Sequence, residues 1–182
     1  VLSDLEGYHP PVSDDALLPA ERKVLERLGH LPLDFRAMWA VSNLFRTSTA
    51  IRRHMEATIL APDKLSWTSF VALWVLWVWG EMESRDLAAA IGISRPTSTG
   101  VVTTLEGRGW VERRKNPDDG RMVRVALTEA GERKIADLFP RFNAQERAVT
   151  SRLTPEQQEE LAVMLRSMLR ALEAGPEPVA EG

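Results

Sequence analysis

Residues 84 to 107, SRDLAAAIGISRPTSTGVVTTLEG, set two helix-length segments on either side of one glycine-bearing turn of about three residues. Helices joined by so short a connection cannot continue each other and must cross, so the sequence predicts a helix-turn-helix. Ser84 is expected to cap the first helix, and Ser94 the second, from Arg95 to about Glu106. Pro96 falls in the first turn, where its missing N–H costs no intrahelical bond. Ala88 is small where the helices cross, Gly92 supplies the turn, and Leu87, Ile91, Ile93 and Val101 point into the shared core. On the second helix Ser98, Val101, Val102 and Leu105 form the inward set at i, i+3, i+4 and i+7. The candidate contact residues on that helix are Ser94, Arg95, Pro96, Thr97, Thr99, Gly100, Thr103 and Thr104.

A hairpin follows at once: WVERRK, the turn NPDDG, then RMVRVAL, with Val123, Val125 and Leu127 on one face and Met122, Arg124 and Ala126 on the other. From Arg108 to Arg124 the local charge is +3, against −6 for the rest of a chain whose net charge is −3. That asymmetry marks one polyanion-facing surface on a body that otherwise repels polyanions. A helix-turn-helix followed by a basic hairpin is a winged helix, whose second helix suits a major groove and whose ribbon tip reaches a minor groove or phosphates.

The remaining chain reads as helix. PAERKVLERL, residues 19 to 28, gives a short one stopped by Gly29, and residues 33 to 60 give one long helix ended by Pro62. Ser66 is expected to cap the tryptophan-rich segment 65–80, LSWTSFVALWVLWVWG, which Gly80 closes. That segment is shorter than the ~20 residues a bilayer requires and reads as a helix buried on several sides. Thr128 is expected to cap a long helical region that Pro140 kinks or divides, and Thr154-Pro155-Glu156-Gln157 opens the last helix as a capping box. The fold class is mainly α with a small β-hairpin wing.

On LSWTSF, DLAAAIGISRPT, LEGRGWVERR and above all DDGRMVRVALTEAG, the chain resembles the multiple antibiotic resistance regulator (MarR) family. The resemblance implies an obligate homodimer on a pseudo-palindromic operator in double-stranded DNA, with half-sites about 10 bp apart. It implies an N-terminal extension at 1–18, dimerisation helices at 19–62 and 132–172, a DNA-binding domain at 63–131 and a tail at 173–182. It also implies that Asp119 holds Arg121 for insertion into the minor groove and that Arg113, Arg114 and Lys115, with Arg124 on the same hairpin, serve the DNA. Other readings stand beside these: Arg113 and Arg114 also suit a solvated strand face, and Asp119 a simple turn former. Gly100, Thr103 and Thr104 depart from recognition helices that carry charged readers, which shifts readout toward DNA shape.

Four of the six tryptophans lie on one helix, and packing is the simplest use of them. On the preceding helix Trp39, Asn43 and Arg46 share a face, with His54 about two turns on. Together with Phe70, Trp74 and Trp77 they form a candidate site for a small aromatic or carboxylate effector, the guanidinium gripping the carboxylate and the indoles stacking. The family resemblance implies an effector between the dimerisation helices and the winged helix, and hence a repressor released by its ligand.

The absence of cysteine excludes disulfides, thiolate metal sites and thiol redox sensing. His9, His30 and His54 are too scattered for a helical metal pair, and no phosphate loop, nucleophile elbow or His/carboxylate cluster is present. No cofactor, metal or enzymatic activity is expected, nor a membrane partner, and the cytoplasm is the expected compartment. The competing class is a winged-helix protein-interaction module, which has no need of a basic ribbon.

Overall fold

The computed structural model describes residues 17–115 and 123–175. The turn NPDDG, which contains Asp119, and the two residues after it, Arg121 and Met122, lie outside the described residues. The chain divides into two compact units, Val1–Arg53 and His54–Gly182.

The first unit holds α1 (Pro19–Leu28) and most of α2 (Phe35–Met55). Pro19 starts α1 as expected, and Glu21 turns back to accept a 2.7 Å hydrogen bond from Leu18 N, one of the donors a helix start leaves open. Leu25 and Phe35 are buried. Glu21 is buried too, and its other oxygen accepts from Asn43 Nδ2 at 2.8 Å, tying α1 to α2.

In the second unit the helix started by α2 does not run on as α-helix to Leu60. It passes through a π turn, Glu56–Leu60, and a 3-10 turn, Ala61–Asp63, that takes in Pro62. Chain reversal falls to Lys64, in the left-handed region at φ 51°. The widened turn keeps Met55, Ile59 and Leu60 all buried, at spacings an unbroken 3.6-residue helix matches less well. Ser66 then caps α3 (Trp67–Trp79), its hydroxyl accepting from Ser69 N, and Gly80 closes it at φ 78°. The expectation of burial on several sides holds only for the first turns: Phe70, Leu73, Val75 and Leu76 are buried, but Trp77, Val78 and Trp79 are exposed.

After α3 comes a short strand that the sequence pattern does not announce, β1 (Met82–Glu83), then α4 (Ser84–Ala90) and α5 (Arg95–Gly107). β1 pairs with β3 (Val123–Leu127), which pairs with β2 (Val111–Lys115), so the expected hairpin is the outer part of a three-stranded antiparallel sheet ordered β1-β3-β2. Because Glu83 is held extended opposite Arg124, it takes the N-cap position of α4 and makes Ser84 the first helical residue rather than the cap. The third strand also alters the burial expected of β3: Val125 and Ala126 are both buried, while Val123 is exposed.

Thr128 caps α6 (Glu129–Val149), and the Thr154 capping box opens α7 (Pro155–Ala174), as the sequence predicts. Pro140 does not divide α6. Ile135 and Leu138 before it and Phe142 after it are all buried, and their packing outweighs the ~3 kcal/mol an internal proline costs. The core of this unit gathers Met55, Leu60, Leu73, Leu87, Leu105, Val125, Ile135 and Leu138. No helix among the described residues is long and apolar enough to cross a membrane.

Candidate nucleic-acid interface

α4 and α5 cross over the turn Ile91–Ser94, where Gly92 has φ 68° and Ile93 N bonds back to Ala88 O at 3.1 Å. Only glycine adopts that conformation without strain. Leu87, Ala88, Val102 and Leu105 fill the crossing. Ser94 caps α5 by accepting from Thr97 N, and its hydroxyl lies 2.8 Å from that of Thr97. As predicted, Ser98, Val102 and Leu105 face inward, with Val101 half-buried. Arg95, Pro96, Thr97, Thr99, Gly100, Thr103 and Thr104 form the exposed face. Nothing lies within 4 Å of where a Gly100 Cβ would stand, so the α5 backbone is open to close approach there.

The basic residues of the sheet are more tightly held than a solvated ribbon implies. Arg113, on β2, forms an ion pair with Glu106 at the end of α5 and donates to Thr99 O at 3.2 Å and Thr103 Oγ1 at 2.8 Å. Arg114 pairs with Glu112 and, at 3.0 Å, with Glu81; Glu112 above all raises its pKa. Glu81 also takes Arg124, whose Nε lies 2.7 Å from Glu81 Oε1 at an angle too oblique for a hydrogen bond. Lys115, at the end of β2, is exposed. Glu81 and Glu106 are thus organising residues that pattern reading missed. The only hint of Glu106 was an acid closing the helix seven residues before Arg113.

Trp110 anchors the sheet to α6. Its ring lies under the Arg108 guanidinium at 4.5 Å and near Lys134 Nζ at 5.6 Å, and its carbonyl accepts from Thr128 N at 3.0 Å. Lys134 in turn is 2.5 Å from Asp63, and that hydrogen bond is the main reason the Asp63 carboxyl titrates below its ordinary value.

The candidate effector residues fall in both units. In the first, Asn43 is committed through its amide nitrogen to Glu21, while the Trp39 indole N–H and the Asn43 carbonyl are buried without hydrogen-bond partners. Arg46 lines an open cleft of about 640 Å³ with Lys23, Val24, Arg27 and Leu28. In the second, Phe70 is buried and stacked on Phe142 at 4.3 Å, and exposed His54 is 2.8 Å from Gln145. Trp74 meets Trp79 edge to face at 5.4 Å. Trp77 packs near Phe139 and shares a cavity of about 300 Å³ with Glu81, Arg114 and Glu132. No group of three or more potential metal ligands occurs among the described residues.

Comparison with known proteins fits this geometry. The MarR family model matches residues 65–123, which span α3 to the start of β3. The HTH-type transcriptional regulator YwaE of Bacillus subtilis is 34% identical over 151 residues, covering 81% of this chain and 88% of that protein. The transcriptional repressor MprA of Escherichia coli is 29% identical over 92 residues, 50% of this chain and 52% of its own length. Among solved structures, BpsR of Bordetella bronchiseptica, whose DNA binding is regulated by 6-hydroxynicotinic acid, superposes with a TM-score of 0.63 at 26% identity, covering 71% of this chain and 97% of that one. With a crossed α4–α5 pair backed by a three-stranded sheet, and a relative matched over most of both chains, this protein belongs to the MarR family and is a DNA-binding transcriptional regulator, not an enzyme.

Proposed function

We propose that the protein is a homodimeric repressor that binds a pseudo-palindromic operator and leaves it when a small aromatic carboxylate binds. The observation that carries the DNA-reading part is the exposed face of α5, from Arg95 to Thr104, flanked by a guanidinium that β2 delivers to it through Arg113. α5 enters the major groove, Arg113, Arg114, Lys115 and Arg124 serve the backbone, and Arg121, held by Asp119, enters the minor groove. Residues 63–131 form the DNA-binding domain, and 19–62 with 132–172 the dimerisation region.

Dimerisation is supported by apolar side chains without cover: Leu161, Met164, Leu169 and Leu172 on α7, and Phe45 on α2, are exposed in the single chain. Repression is supported by the relative MprA, a transcriptional repressor, and control by an aromatic acid by BpsR, whose DNA binding is regulated by 6-hydroxynicotinic acid. On this chain Trp39, Asn43 and Arg46 supply an indole, an amide and a guanidinium for such an acid. The unpartnered Trp39 N–H is a buried donor that a carboxylate would satisfy, and the unpartnered Asn43 Oδ1 is a buried acceptor that a ring hydroxyl or N–H of the same ligand would satisfy. Repression places its work in the cytoplasm, with the operator.

Selection from a random duplex library at two salt concentrations tests this reading. Enrichment of a pseudo-palindrome by a dimeric protein, lost when an aromatic acid such as 6-hydroxynicotinate is added, is the expected result. Salt-insensitive binding without enrichment overturns it.

A further inference from the structure

Resting on the reading that α5 lies in the major groove, we infer that Thr99, Thr103 and Thr104 read DNA only as hydrogen-bond acceptors and methyl groups, so that they select amino-bearing base edges and thymine methyls and reject guanine. Thr99 Oγ1 is 3.1 Å from Arg95 O, Thr103 Oγ1 is 2.9 Å from Thr99 O, and Thr104 Oγ1 is 2.9 Å from Gly100 O. A carbonyl oxygen has no proton to give, so each hydroxyl must be the donor in its bond, and a hydroxyl has only one proton. All three are therefore spent on the helix backbone. What they turn outward is lone pairs and the threonine methyl.

Thr103 is further committed, because it accepts from Arg113 Nη2 at 2.8 Å and keeps one lone pair free. Thr99 and Thr104 keep both. In the major groove adenine N6 and cytosine N4 carry amino donors and thymine carries a methyl, whereas guanine N7 and O6 are acceptors. Two acceptors facing each other repel, so the Thr103/Thr104 end of the helix disfavours a guanine edge.

The N-terminal turn has the opposite character. Arg95 is exposed, its guanidinium makes no hydrogen bond or ion pair among the described residues, and it is all donor. Ser94 Oγ accepts from Thr97 N and lies 2.8 Å from Thr97 Oγ1, so that hydroxyl pair has one proton left to offer between them. The reading face is thus divided along its length, donors at the start of α5 and acceptors with methyls from Thr99 onward. One half-site then carries guanine, where it carries it at all, opposite Arg95, and adenine, cytosine or thymine opposite Thr103 and Thr104.

The test uses the full-length protein and its Thr99→Val, Thr103→Val and Thr104→Val variants. Valine keeps the branched shape and a methyl but removes the oxygen, and melting by circular dichroism checks that each variant folds. Operators selected by wild type and by each variant are compared, and the base position whose preference relaxes is assigned to that threonine. At that position adenine is replaced by purine, thymine by uracil, and guanine, if present, by 7-deazaguanine. The expected result is a loss of about fivefold for each amino group removed, absent in the matching valine variant, and a thymine-to-uracil loss that the valine variant retains. Dependence on guanine N7 at a threonine position overturns the assigned polarity alone. Variants that select the wild-type motif unchanged show that these threonines are not readers. A wild-type dimer that enriches no motif removes the sequence-reading role on which the inference stands.

Discussion

Arg113 Nη2 lies 2.8 Å from Thr103 Oγ1, so a strand of the wing is docked onto the outward face of the helix that precedes it. With the Glu106 ion pair and the bond to Thr99 O, that one guanidinium fixes where β2 sits relative to α5. In the proposed complex these two elements engage neighbouring parts of a duplex, and setting them in a fixed geometry before DNA arrives reduces the ordering cost of binding.

Arg113→Ala is expected to weaken operator binding by about tenfold and lower the salt slope by about one counterion, because one phosphate-neutralising charge is gone. Arg113→Lys keeps the charge but cannot span Glu106, Thr99 and Thr103 together. It should retain the salt slope and still bind more weakly. Titrations over a salt series separate the two effects, and equal affinities for all three proteins would remove Arg113 from the interface.

Gly131→Ala is expected to destabilise the fold by about 1–3 kcal/mol or more. A Cβ there would stand 1.9 Å from Trp110 O, a backbone atom pinned by Thr128 N and unable to swing away. Chemical denaturation measures the loss; a variant as stable as wild type would mean that Trp110 and α6 are not so closely packed.

Ser98→Ala is expected to stabilise the protein by about 1 kcal/mol, since the Ser98 hydroxyl is buried on the inner side of α5 with no hydrogen-bond partner. Alanine removes the unsatisfied group and is a better helix former. A fall in melting temperature would show that the hydroxyl is satisfied in solution.

Asp63→Asn is expected to lose about 1 kcal/mol near neutral pH, where the carboxylate holds Lys134 and Arg141. The Asp63 pKa is depressed in the folded state, chiefly by its hydrogen bond from Lys134. Its contribution is therefore complete above the ordinary value of 3.8 and disappears as pH falls below that value through the folded one. Stability of the two proteins measured from pH 6 downward should converge at the acid end; a constant gap would locate the effect elsewhere.

Local rules specify much of the fold. Ser66, Ser94, Thr128 and Thr154 each cap the helix they were expected to cap, because a cap depends on residues three apart in sequence. The outward face of α5 was legible for the same reason: helical spacing sends Ser98, Val102 and Leu105 inward and leaves the threonines outside. Ser84 failed as a cap because its neighbour Glu83 is held by a strand some forty residues away, a pairing no local pattern announces. Pro140 failed as a break because buried neighbours on both sides hold α6 together.

The amino-acid sequence by itself determined the helix starts, the Gly92 turn, the α5 face and the basic hairpin, all of which follow from contacts within about one helical turn or one strand pair. Tertiary structure alone decided that Glu81 gathers Arg114 and Arg124 and that Glu106 and Thr103 hold Arg113. Charge counting records how many arginines a segment carries. Which of them are already paired depends on where the folded backbone brings the acids.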